Sequence, residues 1–240
     1  MDRKSVSWVG KIGCLAAAAI VVGIVYPVLT QPSHERTPPS SCMSNLRQIG
    51  LGIMQYVQDN DELLPLLDDP KRSATWKANI FPYIKSKTVF QCPAREDQQV
   101  GTDGLPISYA ANTAGVGKVT KGRGPFAPSV KPIGLALIDD STQLIAVCEV
   151  QKTTSPGFDI DDPFFGPRRQ VLYAGHRHLS NYLLLDGHVK ALLPGDTFRS
   201  VGKDHSKLMN LWYVDGTKPL SSNGQQILVT TTKAFADSKD

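Results

Sequence analysis

His176-Arg177-His178-Leu179-Ser180-Asn181-Tyr182-Leu183-Leu184-Leu185-Asp186-Gly187-His188-Val189 sets a histidine ahead of an Asp-Gly step that lies between two apolar runs. Tyr182 to Leu185 and Val189 to Leu193 read as two strands. Asp186-Gly187 reads as the two-residue turn between them, whose central residues both need positive φ. The segment predicts an antiparallel hairpin and also holds the chain's one cluster of titratable side chains suited to chemistry.

Working outward, Gln143 to Val150 is a strand, with Leu144, Ile145, Ala146 and Val147 in one run, and Ile107 to Ala111 is a shorter one. Upstream, Leu46, Ile49, Ile53, Tyr56 and Val57 recur at helical spacing, with Ser40 or Ser41 as the cap. Asp59-Asn60-Asp61 ends that helix and Pro65 confirms the stop. Gly50 and Gly52 weaken it by about 1 kcal/mol each, and in exchange let another element come close. Residues 73–84 predict a short helix around Trp76, Ile80 and Tyr83, broken by Pro82, and Cys92-Pro93 a bend. Trp76, Tyr83 and Phe90 read as core. Gly115 to Lys131 and Thr154 to Pro167 read as loops, the first on the surface. A final helix is expected over 204–213, a strand over Ile227 to Thr231, and a frayed last stretch. The fold class is α+β, an amphipathic helix packed on an antiparallel sheet.

The chain has 240 residues, 41% hydrophobic and 20% charged, and a net charge of +4, the composition of an ordinary globular protein. Its basic residues are scattered, with no basic stripe interleaved with aromatics, which argues against a nucleic-acid partner. The amino terminus is different. Ile12 to Leu29 is uncharged and almost wholly apolar and follows Arg3, Lys4 and Lys11. As a helix it would span about 27 Å against a hydrocarbon core of about 30 Å. A secretory signal peptide is the rival reading, but Tyr26-Pro27-Val28-Leu29-Thr30-Gln31-Pro32 is a poor cleavage site. The expected organisation is a cytoplasmic start (1–11), a transmembrane anchor (12–29), a Pro-rich linker (30–40), an α+β domain (41–215) and a C-terminal extension (216–240). The anchor would hold the chain in the inner membrane with its bulk outside the cytoplasm.

Of the four cysteines, Cys14 falls within the span. Cys42, Cys92 and Cys148 would meet an oxidising compartment, so at most one pair forms. Cys42 and Cys92, each at the edge of an element, are the better pair, and Cys148 within its strand reads as a small core residue. Their bond would close a loop of about 50 residues, worth about 4 kcal/mol in the chain-entropy model. Two unpaired thiols is the alternative.

Several blocks, in order, resemble a bacterial family of prepilin-like proteins related to the major pseudopilin of type II secretion. They are Cys42 to Tyr56 followed by Asp59 and Pro65; Trp76 with Phe81-Pro82-Tyr83-Ile84-Lys85 and Val89 to Pro93; Ser108 to Asn112; and the His176, nine residues, Asp186-Gly187 motif preceded by Glu149. The resemblance covers roughly 41–193 and implies a pseudopilin-like domain, with no biochemistry attached. Ser5 to Lys11 lacks the family's Gly-Phe-Thr-Leu-Ile-Glu leader site, and Pro27 and the linker interrupt the long helix of a pilin. The chain therefore resembles a permanently anchored relative.

Glu149, His176, His178, Asp186, Gly187 and His188 are the candidate site. Histidines with carboxylates suit zinc or another divalent cation at about 2.0–2.2 Å. The alternative is that Asp186-Gly187 is a turn and His176 donates to a carboxylate or carbonyl, locking the hairpin to the sheet. Asp159, Asp161 and Asp162 read as a solvated acidic loop before a calcium site. Gly115-Val116-Gly117-Lys118 and Gly122-Arg123-Gly124 lack the strand and helix of a phosphate cradle. No serine or cysteine nucleophile pattern stands near these groups, so no catalytic residue is assigned. The expected function is a non-enzymatic, membrane-anchored, pseudopilin-like role in the envelope, with pseudopilin-like or other envelope proteins as partners. The second expectation is a metal-dependent hydrolase or metal sensor built on His176 and Asp186.

Overall fold

The computed structural model describes residues 39–69, 74–95, 99–114, 124–126, 131–151, 157–158, 171–201, 207–214, 220 and 222–236. The expected span at 12–29, the linker up to residue 38 and the acidic loop at Asp159, Asp161 and Asp162 lie outside these residues. Among the described residues no helix is long and apolar enough to cross a membrane.

Helix α1 (Pro39–Asp59) buries Cys42, Leu46, Ile49, Ile53 and Val57, a stripe recurring every three or four residues. It already includes Ser40 and Ser41, which therefore sit in its first turn instead of capping it. A Cβ on Gly50 would stand 2.9 Å from Leu183 Cδ1, and one on Gly52 2.8 Å from Ile84 Cγ1. The two glycines thus admit the sheet on one side and the next helix on the other.

Strands β1 (Asp68–Asp69) and β2 (Ala74–Thr75) pair and lead into helix α2 (Trp76–Ile84). Thr75 caps it by accepting from the Ala78 amide at 3.4 Å. Pro82 does not break this helix as expected. It lies in the last turn, and the chain leaves only at Lys85, in a left-handed conformation (φ 59°), whose N–H donates to Phe81 O at 2.8 Å.

The main sheet comprises β3 (Tyr109–Asn112), β4 (Ile145–Gln151), β5 (Gly157–Phe158), β6 (Val171–Leu172), β7 (Ser180–Leu184) and β8 (Val189–Leu192). Its order is β5-β3-β4-β7-β8, with β6 beside the end of β4. The pairs are antiparallel except β3 with β5, which the sequence placed in a loop. Central β4 is covered on both faces, which is why Ile145 to Cys148 is a continuous apolar run with no alternation. Tyr109, Ala111, Val147, Leu183 and Leu185 face a core shared with α1, Trp76, Ile80 and Phe90. Ala110, Ile145, Cys148, Tyr182 and Leu184 face a second core with Leu211, Trp212, Tyr213, Ile227 and Leu228.

The second layer departs from the expected elements. Within 204–213, expected as a helix, β10 (Lys207–Asn210) pairs with β9 (Phe198–Val201). The strand expected at Ile227 to Thr231 belongs to helix α3 (Ser222–Ala236), which buries Gly224, Ile227, Leu228 and Thr231. The segment expected as an extension (216–240) thus contributes Leu220, Ile227 and Leu228 to a core. Trp212 locks the layer down: its Nε1 donates to Thr197 Oγ1 at 2.8 Å, and its ring meets Tyr182 edge-on. Within the expected surface loop, Gly124 to Phe126 are buried, with Phe126 5.7 Å from the Trp76 ring, while Lys131 is exposed.

Candidate functional site

The Asp-Gly hairpin forms, with a different turn from the one expected. Gly187 N donates to Leu184 O at 3.0 Å and Leu184 N to His188 O at 2.8 Å. Gly187 has φ +92°, while Asp186 is absent from the positive-φ residues. The connection is a type I turn closed by a left-handed glycine. Asp186 stabilises it, with Oδ1 accepting from His188 N at 3.0 Å and Oδ2 2.7 Å from His188 Nδ1. The His188 side chain is 79% exposed, so this pair is a surface contact.

The turn with two positive φ values lies earlier. Arg177 and His178 have φ 55° and 69°, and His176 and Leu179 exchange main-chain hydrogen bonds at 3.3 and 3.1 Å. This small hairpin is an excursion in the edge that faces β4. Val150 pairs with Leu172 before it, and Cys148 with Tyr182 after it. Glu149, between them, pairs with Tyr109 of β3 on its other side but has no residue of β6 or β7 directly opposite; its carbonyl accepts from Tyr173 N at 3.0 Å, and the excursion carries His176 to its side chain.

There the polar groups close on one another. Glu149 is 0% exposed and His176 5%. Glu149 Oε1 is 3.1 Å from His176 Nε2; a carboxylate can only accept, so Nε2 is the donor. Glu149 Oε2 accepts from the Asn181 amide at 2.8 Å, and Oε1 also from Asn181 Nδ2 at 3.2 Å. The negative charge is felt nearby: burial, and then Glu149, push up the Tyr109 hydroxyl and the Cys148 thiol. Arg95 is buried beside the cluster, donating to the carbonyls of Ile107 and Val150 and lying 6.0 Å over the Tyr173 ring.

Cys42 and Cys92 form a disulfide with Cα atoms 5.3 Å apart, joining the first turn of α1 to the bend at Pro93. Cys92 Sγ lies 3.8 Å from His176 Nε2. Cys148 is a free, buried cysteine on the opposite face of β4. Among the described residues, one group of three or more potential metal ligands converges: Cys42, Cys92, Glu149 and His176, their ligand atoms within 4.8 Å of one another.

The six residues expected as one site therefore separate. Glu149 and His176 meet. Asp186, Gly187 and His188 build a turn. His178 serves the backbone of the excursion and is not in the converging group. Sequence reasoning missed Asn181, Arg95 and the approach of the disulfide to His176. Asn181 carried one signal, a polar residue within an otherwise apolar strand.

Comparison with models of protein families, with curated proteins and with solved structures finds no match to this chain.

Proposed function

We propose that the chain is a membrane-anchored, extracytoplasmic, pseudopilin-like protein with a structural or protein-interaction role in the cell envelope. One observation supports this most: among the described residues, the converging polar side chains Cys42, Cys92, Glu149 and His176 are at most 5% exposed and close on one another, so this cluster is turned to the interior and away from any substrate. A disulfide at the base of the helix that backs the sheet agrees with an oxidising compartment. The blocks resembling the prepilin-like family fall on α1, α2, β3 and the β7–β8 hairpin, the elements that build the first core. Leu51, 65% exposed on α1, presents an apolar side chain on the face turned away from that core and suits contact with a second envelope protein.

The test is a carboxyl-terminal alkaline phosphatase fusion, with non-reducing peptide mapping of the same cells. Phosphatase activity together with a Cys42–Cys92 cross-linked peptide is expected. A silent phosphatase, with both thiols open to alkylation, would overturn the reading. A photo-crosslinking residue at position 51 then identifies the partner.

A further inference from the structure

We propose that the buried cluster around the Cys42–Cys92 disulfide is a redox-dependent zinc site, in which the reduced cysteines, His176 and Glu149 supply four ligands. The inference rests on the geometry of this cluster and is independent of the topology proposed above.

The ligand set is chemically complete. Two thiolates, an imidazole and a carboxylate are the donors of a tetrahedral zinc site, and soft sulfur selects zinc over magnesium or calcium. With Zn–S about 2.3 Å and Zn–N or Zn–O about 2.0–2.1 Å, neighbouring ligands stand about 3.3–3.8 Å apart. His176 Nε2 and Glu149 Oε1 are 3.1 Å apart, and Cys92 Sγ and His176 Nε2 3.8 Å. The whole set lies within 4.8 Å. Two changes are required: the two sulfurs move from bonding distance to the edge of a tetrahedron, and the His176 ring proton passes from Nε2 to Nδ1, which frees the Nε2 lone pair for the metal.

The surroundings already orient the ligands. Glu149 Oε2 is held by the Asn181 amide, which aims Oε1 at His176. The Tyr173 ring meets the His176 ring edge-on at 5.3 Å and fixes its plane. Such outer contacts hold metal ligands in place. Two thiolates and a carboxylate around zinc leave one net negative charge, and Arg95, a buried cation bonded to the carbonyl of Val150 next to Glu149, has the sign to offset it. Four protein ligands leave no open position, so the metal is structural and the site performs no hydrolysis.

The redox step balances with a dithiol as reductant. The Cys42–Cys92 bond takes two electrons and two protons from the dithiol, which becomes a disulfide. Zinc then displaces two protons as two Zn–S bonds form. In reverse, a disulfide-class oxidant accepts the two electrons and takes two protons from solvent to become a dithiol, the Cys42–Cys92 S–S bond closes and zinc leaves. Zinc binds only the reduced form, so each tenfold rise in free zinc above its dissociation constant moves the midpoint potential up by about 30 mV.

The experiment uses the full-length chain carrying Cys14→Ser and Cys148→Ser, so that Cys42 and Cys92 are the remaining thiols. It is reduced with a dithiol, freed of it under nitrogen and titrated with cobalt, then zinc. One equivalent of cobalt should give a thiolate-to-cobalt charge-transfer band with tetrahedral d–d bands. Zinc should displace the cobalt, and a disulfide oxidant should release one equivalent of metal. His176→Ala and Glu149→Gln should each weaken cobalt binding at least tenfold. Absence of the charge-transfer band in the reduced chain overturns the proposal, whether or not that chain keeps its near-ultraviolet circular dichroism. So does a band whose affinity neither substitution changes.

Discussion

Glu149 and His176 meet, Oε1 to Nε2 at 3.1 Å, where the strand facing β4 is interrupted by a two-residue turn. On this side no residue of β6 or β7 stands opposite Glu149, although its carbonyl still accepts from Tyr173 N at 3.0 Å. In return the carboxylate receives Asn181 N, Asn181 Nδ2 and His176 Nε2, three donors for a fully buried acceptor. A buried carboxylate is tolerated only when its lone pairs are filled in this way. The first residue of the His, nine residues, Asp-Gly motif thus satisfies the sheet interior, while its Asp-Gly end shapes a surface turn.

That division sets an order of mutational effects in the oxidised chain. His176→Ala removes a donor from Glu149 in the interior and is expected to destabilise by about 3 kcal/mol. Asp186→Ala loses the side-chain cap on the β7–β8 turn, about 1 kcal/mol. His188→Ala, at an exposed position, should stay within about 0.5 kcal/mol. Urea unfolding reads all three. If His188→Ala proved the costliest, the turn and not the buried pair would be the motif's structural centre.

The excursion carries removable strain. Arg177 and His178 hold left-handed φ values that Asn and Gly adopt more readily. Replacing them as Arg177→Asn with His178→Gly should raise stability by about 1 kcal/mol while leaving the His176–Glu149 contact in place. A fall in thermal midpoint would mean that the two side chains make contacts worth more than the backbone strain.

Much of the first core was legible in the sequence, because α1 shows a clean helical stripe and Leu144 to Cys148 an uninterrupted apolar run. The second core was not. Ile227-Leu228-Val229-Thr230-Thr231 is rich in β-branched residues and invites a strand. Yet its buried positions, with Gly224, follow a three-then-four spacing that only a helix produces. Leu208, Leu211 and Trp212 imitate helical spacing because β10 ends at Asn210, whose Oδ1 accepts from Trp212 N at 2.9 Å and turns the chain. The site was half legible. Glu149 and His176 could be nominated as polar residues beside apolar runs. The arrival of Cys92 and Asn181 depends on an excursion whose turn carries no glycine to announce it.

Gly52 allows α1 and α2 to touch. Leucine there would gain helix propensity, yet its Cβ alone would stand 2.8 Å from Ile84 Cγ1 and 3.0 Å from Ile84 Cδ1. Overpacking is expected to win, so Gly52→Leu should lose about 2 kcal/mol in denaturant unfolding. An unchanged midpoint would mean that α2 shifts away freely and its packing on α1 contributes little.

Lys77 gives the fold a pH dependence of its own. Its side chain is 0% exposed, with Nζ donating to Pro106 O at 2.9 Å and lying 5.8 Å over the Trp76 ring. Burial lowers its pKa from 10.5 to about 8, against a smaller opposing pull from Asp103. Between those values the unfolded chain holds a proton that the folded chain has released. Stability therefore rises with pH across that window. Below it both forms are charged, and folding carries a constant penalty of about 3 kcal/mol. Lys77→Met keeps the stem on Trp76 and removes the ammonium. At pH 7 it should be more stable than the parent by about 1–2 kcal/mol, the rest being offset by the donor lost to Pro106 and the cation lost to Asp103. That advantage should shrink steadily as pH approaches 10, in guanidinium unfolding curves of both proteins. Parallel curves would show that the ammonium titrates with an ordinary pKa and that water reaches it behind Trp76.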